Sequence, residues 1–184
     1  FQRLDQSGIG ASRALGVAQP AGRRVGHRGM REHQLAWREA ARVVLADARA
    51  QGREIVLVSS GAVAAGRALL GEAEAQGIPA KQALAALGQP RMLEAWSHLF
   101  DFPCAQVLLG FDDLQNRRRF VKAKNTLREL LRLAALPIVN ENDSVAVDEL
   151  RLGDNDNLAA HVAVLVEADL LLILSDIDGL FDAD

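Results

Sequence analysis

Four short aliphatic runs, set apart by longer stretches of helical period, constrain this chain most. They are Ile55-Val56-Leu57-Val58, Gln106 to Leu109, Ile138-Val139 and Leu170 to Leu174. Each is too short for a helix and lacks polar alternation, so the expected strands are apolar on both faces. Helical patterns fill the intervals. Leu35, Val44, Leu45 and Ala48 share one face, with a stop at Gln51-Gly52. A small-residue helix is expected over Ala62 to Leu70, and another over Lys81 to Leu87. Gly88 and Pro90 then interrupt, and Leu93, Trp96, Leu99 and Phe100 resume the period. The clearest helix runs from about Asn116 to Ala135, where Phe120, Ala123, Leu127, Leu130, Leu131 and Ala134 share a face and arginines cover the other. Leu158 to Val166 is almost wholly apolar and is expected to be buried. Doubly apolar strands alternating with helices predict an α/β fold, a parallel-rich sheet sandwiched between helices.

In such sheets ligands sit beyond the carboxyl ends of the strands. Every polar cluster of this chain falls at such an end: Ser59-Ser60-Gly61, Asn140 to Ser144, and Ser175-Asp176. A further cluster, Gly153-Asp154-Asn155-Asp156-Asn157, opens the helix that follows. This convergence suits a small, polar, charged ligand.

Each cluster has a plainer reading beside the functional one. Ser60-Gly61 suits an anion held by backbone amides at a helix N-terminus, and equally an N-cap serine with a turn glycine. Asn140 to Asp143 suits a cationic amino group held by Asp143, or a turn in which Asn and Asp bond their own backbone. Gly153 to Asn157 contains a helix cap, yet carries more polar side chains than a cap requires. Asp156 there suits the ordering of catalytic lysines or of a Mg²⁺-bound phosphate. Ser175-Asp176 suits a nucleotide contact, or a turn completed by Asp178-Gly179.

Bulk properties remove several classes. The chain has 184 residues, 49% hydrophobic and 24% charged, enough for one domain with a core. A net charge of −3 gives no general case for nucleic acid or an acidic membrane. Tyr is absent and aromatics are scarce, so a base-stacking surface is not expected. No apolar run reaches the roughly 18 residues of a membrane span. The lone Cys104 fits a reducing, cytoplasmic setting and rules out a cysteine zinc cluster. His27, His33, His98 and His161 lack metal-ligand spacing, so no protein metal site is expected; His161 reads as a core histidine. Arg117-Arg118-Arg119 reads as a solvated helix face.

The start differs from the rest. Phe1 to Arg31 holds six arginines against the single acid Asp5 and has no clear period. Residues 1–34 read as a loose basic arm with no clear period, and its glycines argue against an amphipathic transit peptide.

Val58-Ser59-Ser60-Gly61-Ala62, Lys81-Gln82-Ala83 through Leu87-Gly88-Gln89, Asn140-Glu141-Asn142-Asp143, Gly153 to Leu158, and Leu174-Ser175-Asp176 with Gly179-Leu180 resemble the glutamate 5-kinase family of the amino-acid kinase superfamily. The resemblance runs over residues 35–184, with the motifs in order. It implies the carbamate kinase-like fold and ATP- and Mg²⁺-dependent phosphorylation of the γ-carboxylate of L-glutamate, the first step of proline biosynthesis. It implies glutamate-binding roles for Ser60, Asp143 and Asn155, ATP-binding roles for Ser175 and Asp176, and a catalytic role for Asp156. A homo-oligomer and feedback inhibition by proline are further implications. The family's first strand ends in Lys-x-Gly-Ser/Thr, and a second lysine lies in a later glycine-rich segment. This chain has only Lys81, Lys122 and Lys124, none in a matching context. The expectation is therefore a partial kinase domain, incomplete at both ends, with its start read out of frame. Two alternatives stay open: a catalytically inactive glutamate-binding fragment, and a sister amino-acid kinase.

Overall fold

The computed structural model describes residues 15–18, 42–70, 76–146 and 155–173. Five strands form one parallel sheet: β1 (Leu15–Ala18), β2 (Ile55–Val58), β3 (Cys104–Leu109), β4 (Leu136–Glu141) and β5 (Leu170–Ile173). Their order is β3-β4-β2-β1-β5. Leu15 pairs with both Ile55 and Leu170, and Val58 pairs with Val139.

The helices are α1 (described over 42–50), α2 (Ala62–Leu70), α3 (Ile78–Ser97), α4 (Phe111–Gln115), α5 (Arg117–Arg132) and α6 (Asn155–Val166). They cover the sheet from both sides, and the period-two geometry of the strands divides the core between them. Val56, Val58 and Val139 point to the α5 and α6 side, against Leu127, Leu158, Val162 and Leu165. Ile55, Leu57 and Ile138 point the other way, against Leu45 of α1 and Met92 and Trp96 of α3. β2 is buried throughout, so each of its side chains contributes about 1.5–3 kcal/mol of hydrophobic stabilisation.

Local chemistry sets the helix ends. α1 stops at Gly52, whose φ of 77° suits glycine; the Arg53 N–H then reaches back to the Ala48 carbonyl at 3.1 Å. α5 starts at Asn116, whose side chain accepts from the N–H groups of Arg118 and Arg119 at 3.0 and 3.2 Å. Arg117, Arg118 and Arg119 lie on an exposed face, as expected.

Four sequence expectations need correction, and one helix is additional to them. A strand does occur within residues 1–34: Leu15–Ala18 is inserted between β2 and β5. Its pairing comes from two parallel neighbours and left no periodicity to read. Gly88 and Pro90 do not interrupt a helix; α3 runs through both. Proline there gives up one backbone bond, and glycine serves a close contact described below. α4 was not expected. β5 is not buried on both faces: it is the sheet edge among the described residues, with Leu170 and Ile173 40% and 43% exposed. His161 is exposed, not a core residue, because α6 buries only the face of Leu158, Ala159, Val162, Leu165 and Val166.

Candidate active site

In a parallel sheet all carboxyl ends lie on one side, and here the polar clusters collect there. β2 ends at Val58, and Ser59, Ser60 and Gly61 lead directly into α2. Gly61 adopts φ 109°, a conformation that favours glycine. The turn lets the chain reverse so that Ser60 sits half-buried at its tip. Ser59 is fully buried, and its N–H donates to the Val139 carbonyl at 2.9 Å, which ties the end of β2 to the end of β4.

β4 carries the next cluster. Asn140 and Glu141 are its last two residues, and Asn142 and Asp143 turn away from it. The Asn142 N–H donates to the Leu109 carbonyl of β3 at 3.0 Å, and the Val145 N–H donates to the Asn142 carbonyl at 3.2 Å. The loop is thus anchored to the neighbouring strand end and closed on itself. Asp143 is half-buried within it.

α6 returns from this end of the sheet towards the start of β5. Its first described residue is Asn155, half-buried, followed by the exposed Asp156 and Asn157. Leu158 and Ala159 of the next turn are fully buried against Val58 and Val139. That packing sets the helix N-terminus beside the strand ends that carry Ser60 and Asn140. Its amides give the region a partial positive charge, and Asp156 is a favourable acid in the first turn. Ser60, Asp143, Asn155 and Asp156 therefore share one end of one sheet. Ser175 and Asp176, with Gly153 and Asp154, lie outside the described residues.

Sequence reading missed a set of supports on α3. Gln89 and Asn140 are both buried, and the Asn140 Nδ2 donates to Gln89 Oε1 at 3.0 Å. Trp96 Nε1 donates to Ser59 Oγ at 2.9 Å, and Gln82 Nε2 donates to the Ala146 carbonyl at 3.1 Å. The signal available was a spacing of seven residues between Gln82, Gln89 and Trp96.

Glycines bring α3 this close. A Cβ on Gly88 would lie 1.8 Å from the Ala62 carbonyl oxygen, and one on Gly66 would lie 1.9 Å from that of Leu84. The two helices touch backbone to backbone just beyond the Ser60-Gly61 turn.

A separate concavity of about 240 Å³ lies between β3 and α5, lined by Leu108, Leu109, Asp113, Arg119, Lys122, Ala123 and Thr126. It includes none of the four described site residues. Arg119 and Asp113 form an ion pair at 3.1 Å there.

No cluster of three or more His, Cys, Asp or Glu suited to a metal ion occurs among the described residues. Mg²⁺ bound to a nucleotide asks less of a protein, one or two carboxylates with phosphate and water completing the shell. The exposed carboxylate of Asp156 at a helix N-terminus fits that donor requirement.

A parallel sheet between helix layers, with polar loops gathered beyond its carboxyl ends, is a frame on which α/β proteins bind small ligands. Residues 25–184 match the amino acid kinase family, and the chain belongs to that family. It is 64% identical over 147 residues to a glutamate 5-kinase of Salinibacter ruber, covering 78% of this chain and 39% of that protein. It is 64% identical over 137 residues to the glutamate 5-kinase of Xanthomonas euvesicatoria, covering 73% and 38%. A Xylella fastidiosa glutamate 5-kinase is 61% identical over 135 residues, covering 72% and 35%. The chain thus spans about two fifths of the length of the curated relatives it matches. Among solved structures, Giardia carbamate kinase superimposes with a TM-score of 0.57 at 14% identity, covering 91% of this chain and 74% of that one. The Giardia lamblia carbamate kinase bound to AMP-PNP gives 0.56 at 13% identity, covering 91% and 75%. These two likenesses establish the shared fold. No described helix is long and apolar enough to cross a membrane.

Proposed function

We propose that this chain carries the amino-acid side of a kinase site that phosphorylates the γ-carboxylate of L-glutamate with ATP, the first step of proline biosynthesis. The observation that carries the reading is the gathering of Ser60, Asn140 to Asp143 and Asn155-Asp156 at one sheet end, in a chain 64% identical to glutamate 5-kinases.

The chemistry fits a free amino acid. The Asp143 carboxylate accepts from the substrate ammonium. The Ser60 hydroxyl and the Asn155 amide donate to its carboxylates. The α6 N-terminus favours the negative charge brought by a carboxylate and a phosphate. In the transfer, a γ-carboxylate oxygen bonds to the terminal phosphorus as the bond to the bridging oxygen breaks. The products are γ-glutamyl phosphate and ADP. The protein's share is positioning and charge compensation, not covalent chemistry. Asp156 would help hold Mg²⁺, which would supply further positive charge on the phosphates. Ser175 and Asp176 take the nucleotide in this reading. A cytoplasmic homo-oligomer inhibited by proline belongs to the same proposal.

One feature favours a second reading, glutamate binding without turnover. The first lysine of the chain is Lys81, and Lys124 is engaged with Glu167 at 2.7 Å. A lysine at the end of the first strand is what the family resemblance implies for the phosphates.

Hydroxylamine trapping of γ-glutamyl phosphate separates the readings. Hydroxamate that needs this chain, glutamate, ATP and Mg²⁺ together establishes the kinase. Glutamate binding by calorimetry without hydroxamate establishes the binding fragment. A folded chain that does neither overturns both.

A further inference from the structure

α3 grips three different segments of the site with three side chains, and each is seven residues from the next. Two turns of helix return a residue spaced by seven to nearly the same face, so Gln82, Gln89 and Trp96 form one stripe. Gln82 holds the loop beyond Asp143, through the Ala146 carbonyl. Gln89 holds the end of β4, through Asn140. Trp96 holds the end of β2, through Ser59.

Gln89 stands out in this stripe. It is only 7% exposed, and its Nε2 is buried with no hydrogen-bond partner among the described residues. A buried amide left half-satisfied is costly, and core packing alone would favour an apolar residue of the same volume. What the glutamine supplies is a fixed acceptor. An asparagine amide presents a donor or an acceptor according to how it is turned. Gln89 Oε1 takes the Nδ2 of Asn140, so the Asn140 Oδ1 is the amide atom turned away from Gln89. That polarity matches Asp143 three residues on, which is an acceptor too.

We propose that Gln89 is a positioning residue for the amino-acid substrate: it orients the Asn140 amide so that its oxygen, with Asp143, meets the substrate ammonium. The proposal rests on the reading of this sheet end as a glutamate site. Gln89 touches no substrate and acts through Asn140. Gln82 and Trp96 hold the loop and the β2 end in register around it.

The test uses the 184-residue chain with two variants. Gln89→Met keeps the volume and removes the acceptor. Gln89→Glu keeps an acceptor towards Asn140 Nδ2. Calorimetric titration with L-glutamate alone gives affinity, and thermal unfolding gives stability. In Gln89→Met, glutamate affinity is expected to fall about tenfold, one hydrogen bond's worth, with the thermal midpoint held. Gln89→Glu is expected to stay within about threefold of the parent, rescuing binding through the retained acceptor. Equal affinity in the parent and Gln89→Met overturns the inference while leaving the glutamate site standing. A Gln89→Met chain that unfolds, or loses its midpoint along with binding, also overturns it and assigns Gln89 to the core. A folded parent that binds no glutamate overturns the functional reading itself.

Discussion

Ser59 shows how much a single buried hydroxyl depends on its partner. It is fully buried at the end of β2, and Trp96 Nε1 is bonded to it from α3. Trp96→Phe would remove the indole donor and leave a cavity beside it. We expect a stability loss of about 2–4 kcal/mol, read from urea unfolding, partly relieved by adding Ser59→Ala. Cys104 makes a different case. Burial pushes its thiol above the ordinary value of 9.0, against smaller opposing effects of Ser97 and the Arg49 charge. The folded thiol keeps its proton to higher pH than the unfolded one. Its contribution to stability is therefore whole below the unfolded value and is lost as pH rises through the folded one. At pH 8.5, iodoacetamide is expected to alkylate Cys104 much more slowly in the folded chain than in urea; equal rates would refute this. At this scale the sequence was uneven. The polar clusters that hold Ser60, Asp143 and Asn155 were legible as clusters because they adjoin apolar runs, while the binding roles of these residues are part of the proposal. Gln89 was not, because a glutamine in a helix carries no mark of the asparagine it will meet from β4.

Helix α3 shows what the sequence disguised at the level of elements. Gly88 and Pro90 read locally as breakers, yet the helix continues because Gly88 lies against the α2 backbone and Leu84, Ala85, Met92 and Trp96 are buried on the same element. Tertiary packing outweighs the propensity cost of glycine, about 1 kcal/mol, and part of the larger cost of proline. The two kinds of glycine should respond differently to alanine. Gly88→Ala drives a Cβ into the Ala62 carbonyl, with Gly66 N also only 2.4 Å away, so the helices must separate. A loss of about 3 kcal/mol or more is expected, with weakened glutamate binding, since the separation also shifts Gln89. Gly52→Ala meets no atom within 4 Å and suffers only from its positive φ. About 1 kcal/mol is expected, with binding unchanged. Thermal unfolding of both, with glutamate titration, checks the contrast. α5 and α2 were legible because their periods are clean and their starts are marked by Asn116 and Gly61.

Across the whole molecule, the layered parallel sheet was readable from the doubly apolar runs, while its strand order was not. Order depends on which strands find each other, and short runs such as Leu15–Ala18 owe their place to neighbours on both sides. Burial is graded in consequence. β2 is enclosed, β3 is partly buried and β5 is an exposed edge among the described residues. Backbone amides of Val56 to Val58 are expected to exchange with deuterium near the global unfolding limit. Those of Leu170 to Ile173 should exchange faster by at least about tenfold, and a protected β5 would contradict the edge assignment.

The insertion of β1 between β2 and β5 carries one more consequence, for the time course of folding. Leu15 and Leu170 are partners although nearly the whole described chain separates them. A ribosome releases β1 early, and β2 can join it soon after. The other flank of β1 stays an open template until β5 emerges, long after β3, β4 and all six described helices have been made. Pairing across so large a loop is slow, because closure entropy is lost before the contacts form. For that interval one edge of β1, fourth of the five described strands in the finished sheet, stays unpaired and open to pairing with another chain.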